Sequence, residues 1–166
     1  MRDALWAGGH AALLLAALGG LVWATGQPFL FPSLGPTAYL LAVQPDAPTS
    51  RPRRVLGGHA VGVLAGLVAY TLLAAPLVGT APPPAASFGA VRLAASAAVS
   101  VGLTTAGMLA ADLRHAPACA TTLIVALGLL ASPVDAAVIV GAVAVLLAVD
   151  RAAKVAQSSL GGAAPA

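Results

Sequence analysis

Charge is what this chain has least of. Only 8% of its 166 residues are Asp, Glu, Lys or Arg, where a water-soluble domain carries about a quarter. No glutamate occurs, and all five acidic residues are aspartates. So few charges cannot cover a surface that faces water, which excludes a soluble globular domain. Aromatic residues are also scarce at 4%, so an interfacial belt rests on Trp6, Trp23, Tyr39 and Tyr70 alone. The single cysteine, Cys119, excludes an internal disulfide. His59, His115 and Cys119 show no close ligand spacing, a poor zinc signature, and no metal or other cofactor is expected.

What is there is apolar. Hydrophobic residues make up 60% of the chain and mean hydropathy is +0.96, the composition of an integral membrane protein in a lipid bilayer. The net charge of +3 comes from a few clusters and reads as topology, not as nucleic-acid binding. The expected fold class is an all-α polytopic membrane protein, one transmembrane domain over 1–156 with a disordered tail over 157–166.

Six hydrophobic segments are expected, at about 4–25, 35–44, 55–78, 88–111, 117–130 and 134–149. The first is long enough to span and no Ala-x-Ala site follows it, so it reads as a retained span and not a cleaved leader. His10 inside it reads as a packing histidine bonded to a neighbouring carbonyl. The second and fifth segments are short and broken by proline. Pro36 and Pro117 suit a first helical turn, where a missing N–H costs nothing, and Ser33 suits a cap. In the third segment Gly58, Gly62 and Gly66 recur every four residues, a small-residue stripe for close helix packing. In the fourth, Arg92, Ser96, Ser100 and Thr104 share one face.

Counted from a cytoplasmic N-terminus, six crossings put Arg2, Arg51, Arg53, Arg54, Arg114, Arg151 and Lys154 inside. The outer turns 26–33, 80–87 and 131–133 carry no Lys or Arg, as the positive-inside rule requires. The chain is then a multi-pass protein of the inner (plasma) membrane with both termini cytoplasmic. Six segments divide into two sets of three, long, short and long, the second set inverted relative to the first. Inverted repeats of this kind place transporter sites near the midplane, between discontinuous helices.

Both short helices would aim their N-termini toward that midplane. A helix N-terminus carries about half a positive charge and unpaired N–H groups, so two of them suit an anion. All five aspartates lie at segment ends, which disfavours a cation. Candidate site residues are Ser33, Gly35, Pro36 and Thr37 before and in the second segment, and His115, Pro117, Thr121 and Thr122 around the fifth. His59 adds a titratable donor. Arg92 joins them as an ionisable group inside a span, or snorkels to the outer head groups.

Three stretches carry a family resemblance. They are Gln27-Pro-Phe-Leu-Phe-Pro-Ser-Leu-Gly-Pro-Thr-Ala38, Pro52-Arg-Arg-Val-Leu-Gly-Gly-His-Ala-Val-Gly-Val-Leu-Ala-Gly66 and His115-Ala-Pro-Ala-Cys-Ala-Thr-Thr-Leu123. Together they resemble the HPP family of integral membrane proteins over residues 4–150. The family's name is a His-Pro-Pro triplet, which here is His115-Ala116-Pro117. Plant and cyanobacterial members are associated with nitrite transport, so the resemblance implies a small-anion permease.

The leading expectation is therefore a permease for a small monovalent anion, nitrite by family analogy, with a homodimer as the transport unit and no catalytic role. A membrane enzyme using His59, His115 and Asp112 in acid–base work is a second reading. A non-catalytic scaffold or accessory subunit, assembled through its glycine stripe, is a third.

Overall fold

The computed structural model describes residues 2–161 and, among these, is entirely helical. Six helices run in order: α1 (Arg2–Thr25), α2 (Leu34–Val43), α3 (Pro52–Ala69), α4 (Phe88–Ala110), α5 (Ala118–Ala126) and α6 (Pro133–Gly161). A π-helical turn, Tyr70–Ala74, prolongs α3. A short 3₁₀ turn, Pro48–Ser50, leads into α3.

Four of the helices are long and apolar enough to cross a bilayer: α1, α3 with its π turn, α4 and α6. Helices α2 and α5 have ten and nine residues. At ~1.5 Å per residue each covers about half of a hydrocarbon core.

The helix ends follow local chemistry. Gly26 takes a positive φ of 68° and ends α1, a conformation glycine adopts without a steric penalty. The Ser87 hydroxyl accepts from the Ala90 N–H and caps α4. Ser132 and Asp135 exchange side chain-to-backbone hydrogen bonds at the start of α6, a reciprocal cap.

Three expected boundaries are corrected. The third segment stops at Ala74 rather than running to 78, because Pro76 has no N–H for a further turn. The fifth segment stops at Ala126 rather than 130, where Gly128 takes a positive φ of 72° just past the helix end. The sixth runs to Gly161 instead of 149. No glycine or proline interrupts residues 142–160, and Lys154 pairs with Asp150 one turn back at 2.7 Å, so nothing halts propagation. The helix thus covers 157–161, the first half of the tail read as disordered. Residues 162–166 lie outside the described residues.

Helix α3 is the hub and packs on α4, α5 and α6, while α1 packs on α2 and α6. Leu14, Leu18, Leu34, Leu41, Val55, Val125, Ile139, Val143 and Leu146 are buried between them. Trp23, Leu64, Leu72, Phe88 and Val91 face outward, as lipid-facing side chains do in a bilayer.

The substantial pairings keep their pattern when α1, α2, α3 are exchanged with α4, α5, α6. The α1–α2 contact corresponds to α4–α5, α1–α6 to α3–α4, and α2–α6 to α3–α5, while α3–α6 maps on itself. The correspondence is in kind rather than degree, for α5 is packed far more deeply on α3 than α2 is on α6.

Candidate functional site

The site begins with the glycine stripe. A Cβ built on Gly58 would lie 3.0 Å from His115 Cβ and 3.1 Å from the Leu113 carbonyl oxygen. One on Gly62 would meet the Ala118 oxygen at 2.7 Å, and one on Gly66 would meet Val125 Cβ at 2.7 Å. The stripe is therefore the seat of α5, and only a missing Cβ lets the two backbones approach so closely. That approach presses His59, the neighbour of Gly58, against both short helices.

His59 is fully buried and bridges two threonines. Its Nε2 lies 3.1 Å from Thr37 Oγ1 of α2, and its Nδ1 lies 2.7 Å from Thr121 Oγ1 of α5. Ser33 and Thr121 share a hydrogen bond of 2.6 Å between their hydroxyls. Thr37 Oγ1 also lies 3.1 Å from His115 Nε2 and 3.1 Å from the Ser33 carbonyl oxygen. His115 Nδ1 closes the chain on the Thr49 carbonyl oxygen at 2.9 Å. The two imidazole rings stand 5.2 Å apart between centroids.

Ser33 meeting Thr121 while Thr37 meets His115 makes the two short helices antiparallel, with their first turns side by side. Ser33 and Pro117 hold the cap positions of α2 and α5, so Thr37 and Thr121 each stand four residues past a cap. His59 sits between two equivalent positions.

No member of the cluster is more than 1% exposed, yet among the described residues no buried side-chain nitrogen or oxygen lacks a partner. A cleft of about 640 Å³ reaches its edge. Thr49, Arg54, Thr105, Arg114, His115 and Cys119 are the polar lining residues of that cleft. Arg54 is held there by Asp112, whose two carboxylate oxygens each accept from Arg54 Nη2 at 2.8 Å. This bond, ahead of any other influence, holds the Asp112 carboxyl below the usual carboxylate range.

Several expected roles are corrected by placement. Ser33 caps nothing with its side chain; its hydroxyl is taken by Thr121. The first N–H groups of α5 are not free donors. Those of Ala118, Cys119 and Ala120 bond the carbonyls of His115, Ala116 and Pro117, because the lead-in turn winds continuously into the helix.

Thr122 faces away from the cluster and bonds Thr104 of α4 and the Ala118 carbonyl. Arg92 donates to the carbonyls of Leu73 and Ala75, at 2.7 and 2.6 Å. It ties off the end of the π turn, where helix carbonyls lack partners, and is not bonded to the cluster. Gly35 and Pro36 lie in the first turn of α2, and Gly35 borders a separate 340 Å³ cleft with Leu15, Leu30, Phe31 and Pro32. Pro117 is buried at the cap of α5. Asp112 stands on the surface with Arg54, apart from both histidines, so the acid–base trio of the enzyme reading does not form.

One polar group was missed. Asp150 lies within α6, not at a segment end, and is buried with His10 of α1 at 2.8 Å. The available signal was that each is a lone ionisable group on an apolar helix, which calls for a partner. Among the described residues, no three His, Cys, Asp or Glu side chains converge as a metal site would need.

These features define a polytopic, all-helical membrane protein whose polar centre is enclosed where two short helices meet a spanning one. Its sequence matches the HPP transmembrane region over residues 1–159. The chain belongs to the HPP family, and its architecture is consistent with a membrane transporter. No curated protein and no solved structure matches it.

Proposed function

We propose that this chain is a permease for a small monovalent anion, nitrite being the anion that the family resemblance implies. The observation that carries the reading is one of continuity. The basic cleft ends on His115, and His115 connects through Thr37 to His59 at the meeting of the two short helices. An anion drawn in by Arg54 and Arg114 would reach histidine and threonine donors without passing a carboxylate among the lining residues. The enclosed cluster is then the occluded state of a site that opens to one side at a time.

The exchange symmetry of the helix pairings supports an inverted repeat of α1–α3 and α4–α6, the plan on which alternating access operates. Arg51, Arg53, Arg54, Arg114 and Arg151 gather near one end of the bundle. Arg53 and Arg54 bond the turn after α4, and Arg51 lines a cleft with Arg151 and Lys154. This supports a cytoplasmic placement of both termini in a plasma membrane. A homodimer is the proposed transport unit, since one copy is small. The scaffold reading loses its main feature, because the stripe it would use is covered by α5 of the same chain.

The test is uptake into proteoliposomes holding the purified protein, with protein-free vesicles as baseline and nitrite compared with nitrate, formate and chloride. Saturable uptake of a small anion, abolished in His59→Ala and His115→Ala proteins that remain folded, is the expected result. No uptake of any of these anions by folded protein would overturn the reading.

A further inference from the structure

The cluster has more hydrogen-bond contacts than hydrogens. Six contacts need one hydrogen each: Ser33–Thr121, Thr121–His59, His59–Thr37, Thr37–His115, His115 to the Thr49 carbonyl, and Thr37 to the Ser33 carbonyl. Three hydroxyls and two neutral imidazoles supply one hydrogen each, which leaves one contact unserved. The two carbonyls donate nothing, so their side-chain partners must.

With both imidazoles neutral, the donors point one way. Ser33 donates to Thr121, Thr121 to His59 Nδ1, His59 Nε2–H to Thr37, Thr37 to His115 Nε2, and His115 Nδ1–H to the Thr49 carbonyl. Thr37 then gives nothing to the Ser33 carbonyl. One added proton on His115 Nε2 changes this. His115 donates from both nitrogens, and the Thr37 hydroxyl turns to the Ser33 carbonyl. Every contact then holds one hydrogen.

We propose that this cluster is a binding site for one proton, taken up by His115 and registered by the Thr37 hydroxyl, and that this proton travels with the anion. The inference rests on the permease reading and adds its stoichiometry. A lone imidazolium enclosed in a membrane protein is costly, and a monovalent anion beside it removes most of that cost. Each charge therefore favours the other, and the loaded pair is neutral. The proton comes from water at the basic cleft, rests on His115 Nε2 and leaves from the same atom, with no other bond made or broken.

The surroundings do not supply an alternative counter-ion. Helices α2 and α5 bring hydroxyls and the Cys119 thiol but no charge. Helix α4 brings Thr105 and Met108 to the shared cleft, α3 brings Arg54, and the turn before α5 brings Arg114. Asp112 is paired with Arg54 at 2.8 Å and lies 4.0 Å from Arg114.

The test titrates nitrite into purified full-length protein by calorimetry in two buffers of different ionisation heat. In parallel, the ring nitrogens of His115 are followed by ¹⁵N NMR, with a His10→Gln protein to simplify assignment. About one proton is expected to enter with each bound nitrite, with both His115 nitrogens protonated in the complex. Thr37→Val should weaken nitrite binding about tenfold, the loss of a hydrogen bond to a charged group, and lose the proton uptake, while Thr37→Ser restores both. Nitrite binding with no proton uptake would overturn this inference and leave the permease standing. If nitrite neither binds nor moves, the permease reading fails, and the spectra alone decide the proton site. A His115 neutral at every pH from 5 to 8 in the folded protein would then overturn it too.

Discussion

His10 of α1 and Asp150 of α6 stand 140 residues apart in the chain and share a 2.8 Å hydrogen bond between two buried side chains. The second oxygen of Asp150 accepts from Lys154 at 2.7 Å. The first and last helices are thus joined by a polar contact inside an otherwise apolar seam of Leu14, Leu18, Ile139, Val143 and Leu146.

Removing one partner should cost more than removing both. Asp150→Ala leaves the buried imidazole without its acceptor, while the partly exposed Lys154 can turn to water, and an unpaired buried polar group costs about 1–3 kcal/mol. Denaturant unfolding in detergent micelles measures this. The double variant His10→Phe with Asp150→Leu should recover most of the loss, because an apolar pair needs no partner there. A loss within about 0.5 kcal/mol for Asp150→Ala, the range of ordinary surface changes, would show that the pair does not hold α1 to α6.

The long helices were legible because each is an apolar run of spanning length, and the short ones because Pro36 and Pro117 mark their starts. The end of α6 was not, because Arg151, Lys154 and Gln157 are polar enough to leave a membrane yet, with the alanines between them, propagate a helix well. Within the site, Ser33, Thr37, His59, His115 and Thr121 were each visible as polar residues beside a break. Their convergence was not, since it depends on how deeply α5 sinks into the glycine stripe. Periodicity put Arg92 and Thr104 on one face of α4, but not what that face meets. The equivalence of Thr37 and Thr121 is hidden when Pro36 is aligned with Pro117, because that register sets Thr37 against Ala118. Counting from the helix caps Ser33 and Pro117 aligns the threonines.

The depth of that groove predicts a contrast between two glycines. A Cβ at Gly66 would lie 2.7 Å from Val125 Cβ and 2.9 Å from the Thr122 carbonyl oxygen, and this backbone cannot swing aside. Gly66→Ala should therefore destabilise the protein by about 1–3 kcal/mol through overpacking. At Gly102 nothing lies within 4 Å of the added carbon, so Gly102→Ala should be neutral or stabilise by up to ~1 kcal/mol through helix propensity. The same unfolding measurement compares them, and equal effects at both sites would refute the close seating of α5.

The Arg54–Asp112 pair predicts a dependence on acid. Asp112 has a positive φ of 51°, which Asn tolerates nearly as well, so Asp112→Asn removes charge without backbone strain. The native carboxyl is held below its ordinary range, chiefly by its hydrogen bonds to Arg54. A lowered folded value means that the stabilisation is complete above the ordinary carboxylate pKa of about 4 and is lost as pH falls through the lowered one. Melting temperatures from pH 7 down to pH 3 should show wild type above Asp112→Asn near neutrality, with the gap closing in acid. Added salt should narrow the gap at pH 7 as well, since both groups reach water. A gap that stays constant across this range would remove the ion pair as its cause.

Cys119 is the sole cysteine, and it lines the basic cleft with Arg54, Arg114 and His115, which makes the proposed route testable with one reagent pair. With each rate divided by that reagent's rate on a free thiol in solution, a sulfonate-bearing methanethiosulfonate should gain about tenfold at Cys119 over a trimethylammonium one of similar size, because a basic cleft concentrates anions. High salt should narrow that ratio. The attached group would fill the cleft at the edge of His115, so nitrite uptake should fall as labelling proceeds and nitrite should slow the labelling. Uptake by the Cys119→Ala protein should not respond to either reagent. A normalised ratio that favours the cationic reagent would show that the cleft does not gather anions. Full labelling with unchanged uptake would place the anion's route elsewhere, and the enclosed cluster of His59 and His115 would then be reached from the opposite side, past Pro32 and Gly35.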